Sequence, residues 1–175
     1  MTRFFRMLAA RDARWQRRFD LCSIHRLPVL SLTLRVPYKL RVSSRMRKLG
    51  EEFWNKILQL PFPSSTSSRG PLSIYVRYNE TEQTDDGFQA FAALLVPVKE
   101  LKLFSIHVET DFFFGPLIDL DVMEAGVSQE RANLGFPPRK CLVCDHDAKE
   151  CSSRCTHSLE ETEEAVRRIL AGVRL

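Results

Sequence analysis

Asp119 and Asp121 stand two residues apart in the run Leu117-Ile118-Asp119-Leu120-Asp121-Val122. The alternation is that of a strand, in which successive side chains point to opposite faces. The two carboxylates therefore project together, about 7 Å apart, while Ile118, Leu120 and Val122 anchor the other side in a core. Carboxylates held at that spacing suit a hard divalent cation, Mg²⁺ above all, shared with substrate phosphates. An Asp-x-Asp pair also occurs on solvated strand faces, so its surroundings decide between the two.

A second constellation lies downstream. Cys141, Cys144, Cys151 and His157 read C-x2-C-x6-C-x5-H. Thiolates two residues apart in a turn can chelate one Zn²⁺, and a later Cys and His can complete a tetrahedron. The spacing is compact for a zinc ribbon, and Cys155 and His146 compete as fourth ligands. The alternative without metal is a group of reduced, partly buried thiols. Five cysteines in all, four of them between 141 and 155, point to a reducing compartment, the cytoplasm, and away from a disulfide framework.

A third is cationic. Arg11, Arg14 and Arg18 fall at i, i+3 and i+7 on a helix predicted over 4–20, whose other face carries Phe4, Leu8, Trp15 and Phe19. Guanidinium forks are strong phosphate clamps. Residues 1–50 hold 13 Lys and Arg against 2 Asp and Glu, or +11; the remainder holds 13 against 20, or −7. Such a split suggests a positive surface for a polyanion, or two halves that neutralise each other across the fold.

The positioning elements follow from periodicity. A strand is expected over 29–36, introduced by Pro28. A helix capped by Ser43 or Ser44 carries Met46, Leu49, Phe53, Ile57 and Leu60 on one face, is weakened by Gly50 by roughly 1 kcal/mol, and ends at Pro61. A Pro/Ser-rich loop (61–71) leads to a strand over 72–78 and an acidic, turn-rich stretch over 79–87. Strand-like 88–96 precedes a short helix over 97–103. Phe104, Ile106 and Val108 alternate as a strand, which would put His107 and Glu109 together on its other face. Phe112–Pro116 turns the chain into the Asp119/Asp121 strand, and Gly126 suits the turn after it. Ser158 and Glu161 form a capping-box pair for a last helix to about 171, with Leu159, Val166, Ile169, Leu170 and Val173 facing inward. The expected class is α+β: one domain over 1–175, a mixed and largely antiparallel sheet flanked by helices, with a Cys/His-rich module at 139–157.

No run is long and apolar enough for a membrane helix, and no secretory h-region is present. The Arg-rich, nearly acid-free start mimics a transit peptide but reads better as a structural helix.

Several ordered motifs together resemble one known family, the citrate lyase holo-acyl-carrier-protein synthases, or apo-citrate lyase phosphoribosyl-dephospho-CoA transferases. They are Pro137-Pro138-Arg139-Lys140-Cys141-Leu142-Val143-Cys144, then Cys151 and Thr156-His157. Upstream come Glu100-Leu101-Lys102 and Gly115-x-x-x-Asp119-x-Asp121-Val122, and near the N-terminus Arg11-Asp12-x-Arg14 and Pro28-Val29-x-Ser31-x-Thr33. The resemblance implies a nucleotidyltransferase-like fold and reaction. The donor would be 2′-(5″-triphosphoribosyl)-3′-dephospho-CoA, and the acceptor a serine on the apo acyl carrier subunit of citrate lyase. The products would be the phosphodiester-linked holo carrier and diphosphate, with no nucleic acid or membrane as partner. Phosphoryl transfer chiefly requires positioning and charge neutralisation. Asp119 and Asp121 would hold Mg²⁺ against the triphosphate, one of them serving as base. Arg11, Arg14, Arg18, Arg139 and Lys140 would bind substrate, and Cys141, Cys144, Cys151 and His157 a structural Zn²⁺.

The chain departs from the resemblance where the family carries His-Pro-Leu-Gly-Arg: here stands Phe112-Phe113-Phe114-Gly115-Pro116. Two other functions compete. One is a zinc-containing nucleic-acid-binding module, carried by the Cys/His cluster and the basic first third. The other is a catalytically weak or silent adaptor of the same family, carried by the lost His and Arg.

Overall fold

A computed structural model describes residues 2–63, 65 and 70–172, without the side chains of Arg3 and Phe4. In chain order the elements are α1 (Arg3–His25), β1 (Val29–Leu34), α2 (Tyr38–Arg41), α3 (Ser44–Gln59), β2 (Pro61–Phe62), β3 (Gly70–Pro71), β4 (Val76–Thr84), β5 (Gly87–Leu94), α4 (Val98–Asp111), β6 (Ile118–Glu124), β7 (Val127–Gln129), α5 (Ala148–Ser153) and α6 (Leu159–Ala171). Single 3-10 turns at Leu72–Tyr75, Gly115–Leu117 and Arg131–Leu134 precede β4, β6 and the Cys/His segment. The α+β class holds, and every strand pairing is antiparallel in the order β4-β5-β1-β6-β7, with β2 and β3 a separate small pair.

Register fixes what each face of the sheet carries. Leu30 and Leu32 lie opposite Ala92 and Ala90 on one side and Val122 and Leu120 on the other. This apolar face packs against Met46, Phe53, Trp54 and Ile57 of α3, Leu101, Phe104 and Val108 of α4, and Val166 of α6. The opposite face is divided along the strands. At one end Val29, Phe91, Ala93 and Met123 are sealed by Leu21 and Cys22 of α1. At the other, Ser31 lies opposite Asp121, and Thr33 opposite Gln89 and Asp119. Polar side chains there cannot take an apolar cover without loss, so α1 meets them with arginines.

That division corrects the reading of α1, which also runs five residues further than 20. Its aromatic and aliphatic side is turned outward: Leu8, Trp15 and Phe19 are 36 %, 46 % and 39 % exposed, whereas Arg18 is 8 % exposed. Trp15 and Phe19 stack on each other, ring centroids 5.8 Å apart. Phe4 lies outside the residues whose side chains are described, as do residues 64 and 66–69 of the expected Pro/Ser loop and Val173.

The strand expected over 104–108 is instead part of α4, which follows its N-cap Pro97 and runs unbroken from Val98 to Asp111. Seven of its residues are buried, and a helix covered on most sides shows no 3.6-residue pattern to read. The stretch 72–78 opens as a 3-10 turn, and the acidic 79–84 is strand, with only Asp85 and Asp86 in the turn. β4 is an edge strand with one solvated side, so its Glu80 and Glu82 give it the composition of a loop. In α3, Ser43 caps the helix by accepting from the Met46 N–H. The capping box of Ser158 and Glu161 forms as expected, while Leu159 is 39 % exposed rather than inward.

Candidate active site and metal centre

Asp119 and Asp121 lie side by side on the polar face of β6, half-exposed, with Ile118, Leu120 and Val122 buried behind them. They line a cleft of about 1070 Å³ together with Arg35, Lys102, Arg131 and Arg139. The cleft exists because β7 pairs with β6 only from Val122 onward. Before that point the outer edge of β6 has no strand partner among the described residues, and its backbone groups must be satisfied otherwise.

Glu109 and Arg139 do this. Glu109 of α4 accepts from the Leu120 N–H at 2.7 Å, while Arg139 donates to the Ile118 carbonyl at 2.7 Å and the Gly115 carbonyl at 2.9 Å. The two side chains pair at 3.1 Å, and Arg131 donates to the second Glu109 oxygen at 3.0 Å. The clamp reaches the candidate site directly, since Arg139 also donates to Oδ1 of Asp119 at 3.1 Å. Burial pushes the Glu109 carboxyl up, against the pull of Arg139, the Leu120 N–H and Arg131.

Asp121 is held from the other side. Arg18 of α1 reaches its Oδ2 at 2.8 Å. Enclosure by the surrounding protein, and then the Asp119 carboxylate, push Asp121 up against the charges of Arg18, Lys102 and Arg14. Each carboxylate gives one oxygen to a guanidinium and has a second oxygen for another ligand.

The other arginines of the α1 stripe go elsewhere. Arg14 and Arg11 reach Asp86 at 2.7 and 3.3 Å, and Arg41 of α2 reaches it at 2.7 Å. Asp86 is 2 % exposed. Burial alone would raise its carboxyl, but the charges of Arg41, Arg11 and Arg14 and the Arg14 hydrogen bond hold it below the usual carboxylate range. Arg17, absent from the sequence-derived set, binds Glu80 at 2.5 and 2.7 Å. Lys140 is exposed and pairs with Asp145 at 3.0 Å.

The Cys/His segment converges as its spacing predicts. Ligand atoms of Cys141, Cys144, Cys151 and His157 all lie within 4.8 Å of one another. Cys144 Sγ is 3.6 Å from Cys151 Sγ and 3.2 Å from His157 Nε2. A zinc tetrahedron has edges of about 3.8 Å between sulfurs and about 3.6 Å from sulfur to nitrogen, so the donor set fits that ion. His146 is exposed outside this group; Cys155, at φ 49°, turns its thiol to the Ser152 carbonyl. Burial and the neighbouring Cys144 and Cys141 sulfurs push Cys151 up to about 11. Cys141 goes the other way: burial would raise it, but N–H groups of Val143 and Cys144 outweigh that.

Sequence reasoning passed over Glu109, Arg131, Arg35, Arg41 and Asp86 as site residues. Reading 98–111 as one helix would have placed Lys102, Ser105 and Glu109 on one stripe at i, i+3 and i+7. It would also have separated Glu109 from His107, which is exposed and paired with Asp111. Nothing in the sequence joins Asp86 to arginines 45 to 75 residues away.

The chain matches the family described as apo-citrate lyase phosphoribosyl-dephospho-CoA transferase over residues 3–173. An apo-citrate lyase phosphoribosyl-dephospho-CoA transferase of Citrobacter koseri is 28 % identical over 156 residues, covering 89 % of this chain and 81 % of that protein. A probable enzyme of the same name from Streptococcus pyogenes is 30 % identical over 131 residues, 65 % of this chain and 68 % of its own. One from Escherichia coli is 26 % identical over 160 residues, with 89 % and 81 % covered. With nearly its whole length matched, from the arginines of α1 to the end of α6, the chain belongs to the apo-citrate lyase phosphoribosyl-dephospho-CoA transferase family.

Proposed function

We propose that the protein transfers the 2′-(5″-phosphoribosyl)-3′-dephospho-CoA group from its triphosphate precursor to a serine of the apo acyl carrier subunit of citrate lyase. The serine oxygen bonds to the α-phosphorus, the bond from that phosphorus to diphosphate breaks, and the serine proton passes to a base. The observation that carries this assignment is the family match over residues 3–173. The cleft supports it, since paired carboxylates ringed by cations are what phosphoryl transfer needs.

Asp119 and Asp121 suit Mg²⁺ because each has one oxygen beyond its arginine contact. When bound there, Mg²⁺ would neutralise charge on the phosphates. Arg18 orients Asp121, and Arg139 orients Asp119. Arg11, Arg14 and Arg41 share the single carboxylate of Asp86, so the group stays net positive, and Arg41 lines the cleft; that surplus suits departing diphosphate. Lys140, paired with Asp145, is not among the residues that line the cleft. Cys141, Cys144, Cys151 and His157 suit a structural Zn²⁺ that ties the 139–157 segment together.

A nucleic-acid-binding role is less well supported. Five cations of the basic first third are engaged by Asp86, Glu80 and Asp121, which spends much of the charge that a polyanion surface would need.

Incubation with apo carrier and the triphosphate donor is expected to add one prosthetic group to the carrier, read by mass spectrometry. Asp119→Ala and Asp121→Ala should abolish the addition. Full transfer by both variants would refute their metal role, and no transfer by the unmodified protein would refute the assignment.

A further inference from the structure

Lys102 sits on the buried stripe of α4, 7 % exposed, and lines the cleft. Its ammonium makes no hydrogen bond or ion pair with any described residue. That is unusual, because a charge largely withdrawn from water is ordinarily paired; here the ammonium opens only onto the cleft. Carboxylates are close enough for their charge to act on it, in the order Glu109, Asp121, Asp119. Each of them is already engaged: Asp121 with Arg18, Asp119 with Arg139, and Glu109 with Arg139 and Arg131. The folded chain thus holds a spare cation against the floor of a cleft that is already well supplied with guanidinium groups.

A lysine kept only for packing would not look like this. Its aliphatic stem could be replaced by an apolar side chain of similar length, without the cost of burying the ammonium. Burial lowers the affinity of Lys102 for its proton, and the three carboxylates work against that. A compact ammonium with three donors and no internal partner is suited to non-bridging phosphate oxygens, which accept from several directions.

We propose that Lys102 is a catalytic residue that binds the phosphate chain of the donor beside Asp119 and Asp121. This rests on the phosphoryl-transfer function proposed above. The ammonium donates hydrogen bonds to phosphate oxygens, whose charge grows on the diphosphate side as the phosphorus–oxygen bond breaks. It carries no proton to or from the serine. The unpaired state in the free protein then has a physical reason: the partner of Lys102 is the substrate, and a cation already held at the cleft floor needs little reorganisation when the anion arrives.

The test compares the unmodified protein with Lys102→Met, Lys102→Gln and Lys102→Arg, using inorganic tripolyphosphate and dephospho-CoA as separate calorimetric probes. Carrier modification and thermal melting are measured on the same samples. Lys102→Met and Lys102→Gln are expected to bind tripolyphosphate at least tenfold more weakly and dephospho-CoA as before. They should transfer on the order of 10²–10³-fold more slowly, and Lys102→Met should melt no lower than the unmodified protein. Lys102→Arg should recover part of the binding.

Unchanged tripolyphosphate affinity in both neutral variants would overturn the proposal. A lower melting point in Lys102→Met, with lost transfer that arginine does not restore, would instead make Lys102 structural and also overturn it. Tripolyphosphate binding that depends on Lys102, in a protein that never modifies apo carrier, would support the anion site while refuting the carrier and donor assignment. The two failures are therefore distinguishable.

Discussion

Replacing Glu109 by alanine should cost far more than a surface carboxylate would. The side chain is 3 % exposed and serves three donors: the Leu120 N–H, Arg131 and Arg139. Without it the Leu120 N–H is left on the open edge of β6, at about 1–3 kcal/mol for a buried unsatisfied donor. Arg139 loses one charged partner but keeps Ile118, Gly115 and Asp119. Arg131 is 19 % exposed and recovers part of its loss from water. Together these losses come to about 3–5 kcal/mol, the usual range for breaking a buried ion pair from one side. For a chain of this size that lowers Tm by roughly 6–20 °C. Glu109→Gln keeps an oxygen for Leu120 and should lose about half as much. Thermal and urea unfolding followed by circular dichroism measure both. The clamp also predicts that Glu109→Ala and Arg139→Ala are not additive, because each removes the same 3.1 Å pair. A loss under about 1 kcal/mol for Glu109→Ala, or strict additivity of the double variant, would refute the edge-clamp account.

Three further outcomes are expected. Asp86 is held below its unfolded value, so its stabilisation is fully present above about pH 3.9 and is lost as pH falls through the folded value. Asp86→Asn should therefore melt lower than the unmodified protein at pH 7, with the gap closing toward pH 3; a constant gap would count against the arginine cluster. Purified protein should carry about one zinc, lost in Cys144→Ser and His157→Ala but kept in Cys155→Ser and His146→Ala; metal analysis showing loss in the second pair would break the ligand assignment. In Gly50→Ala the new Cβ would lie 2.3 Å from the Phe88 ring. Overpacking of roughly 1–3 kcal/mol should outweigh the gain of about 1 kcal/mol in helix propensity, so a Tm at or above that of the unmodified protein would refute the close packing.

What could be read from the sequence was what is local. The Asp119/Asp121 strand keeps a period of two because β6 has one apolar and one polar side. The zinc-type ligand set was legible because its four residues lie within 17 positions of chain, and α3 and α6 because their caps are written beside them. α4 was misread because burial on most sides erases its period, and β4 because an edge strand resembles a loop in composition. In α1 the outward turn of Trp15 and Phe19 depends on which half of the sheet face lies beneath, and only the strand register specifies that. Asp86 with Arg11, Arg14 and Arg41, and Glu109 with Arg131 and Arg139, are joined across segments by the same register.

The turn Phe112–Pro116 brings these points together. Its sequence lacks the His and Arg of the family pattern and has three aromatics in a row, which suggests a site stripped of charge. Structurally the aromatics do a different job. Phe114 stacks on Phe53 at 4.7 Å between centroids, and Phe112 and Phe113 pack around Phe114. Gly115 is required because a Cβ there would lie 2.5 Å from the Glu109 carbonyl. The turn's own carbonyls then collect cations from elsewhere: Gly115 accepts from Arg139 at 2.9 Å and Pro116 from Arg35 at 3.3 Å. Burial and the neighbouring Arg139 charge push Arg35 down to about 10, which leaves it charged at neutral pH. Loss of an arginine at position 116 is therefore not loss of positive charge at the turn, since charge in a cleft is set by what the fold brings there. The adaptor alternative is therefore not favoured by the charge of the site: the cleft beside Asp119 and Asp121 still holds Arg35, Lys102, Arg131 and Arg139.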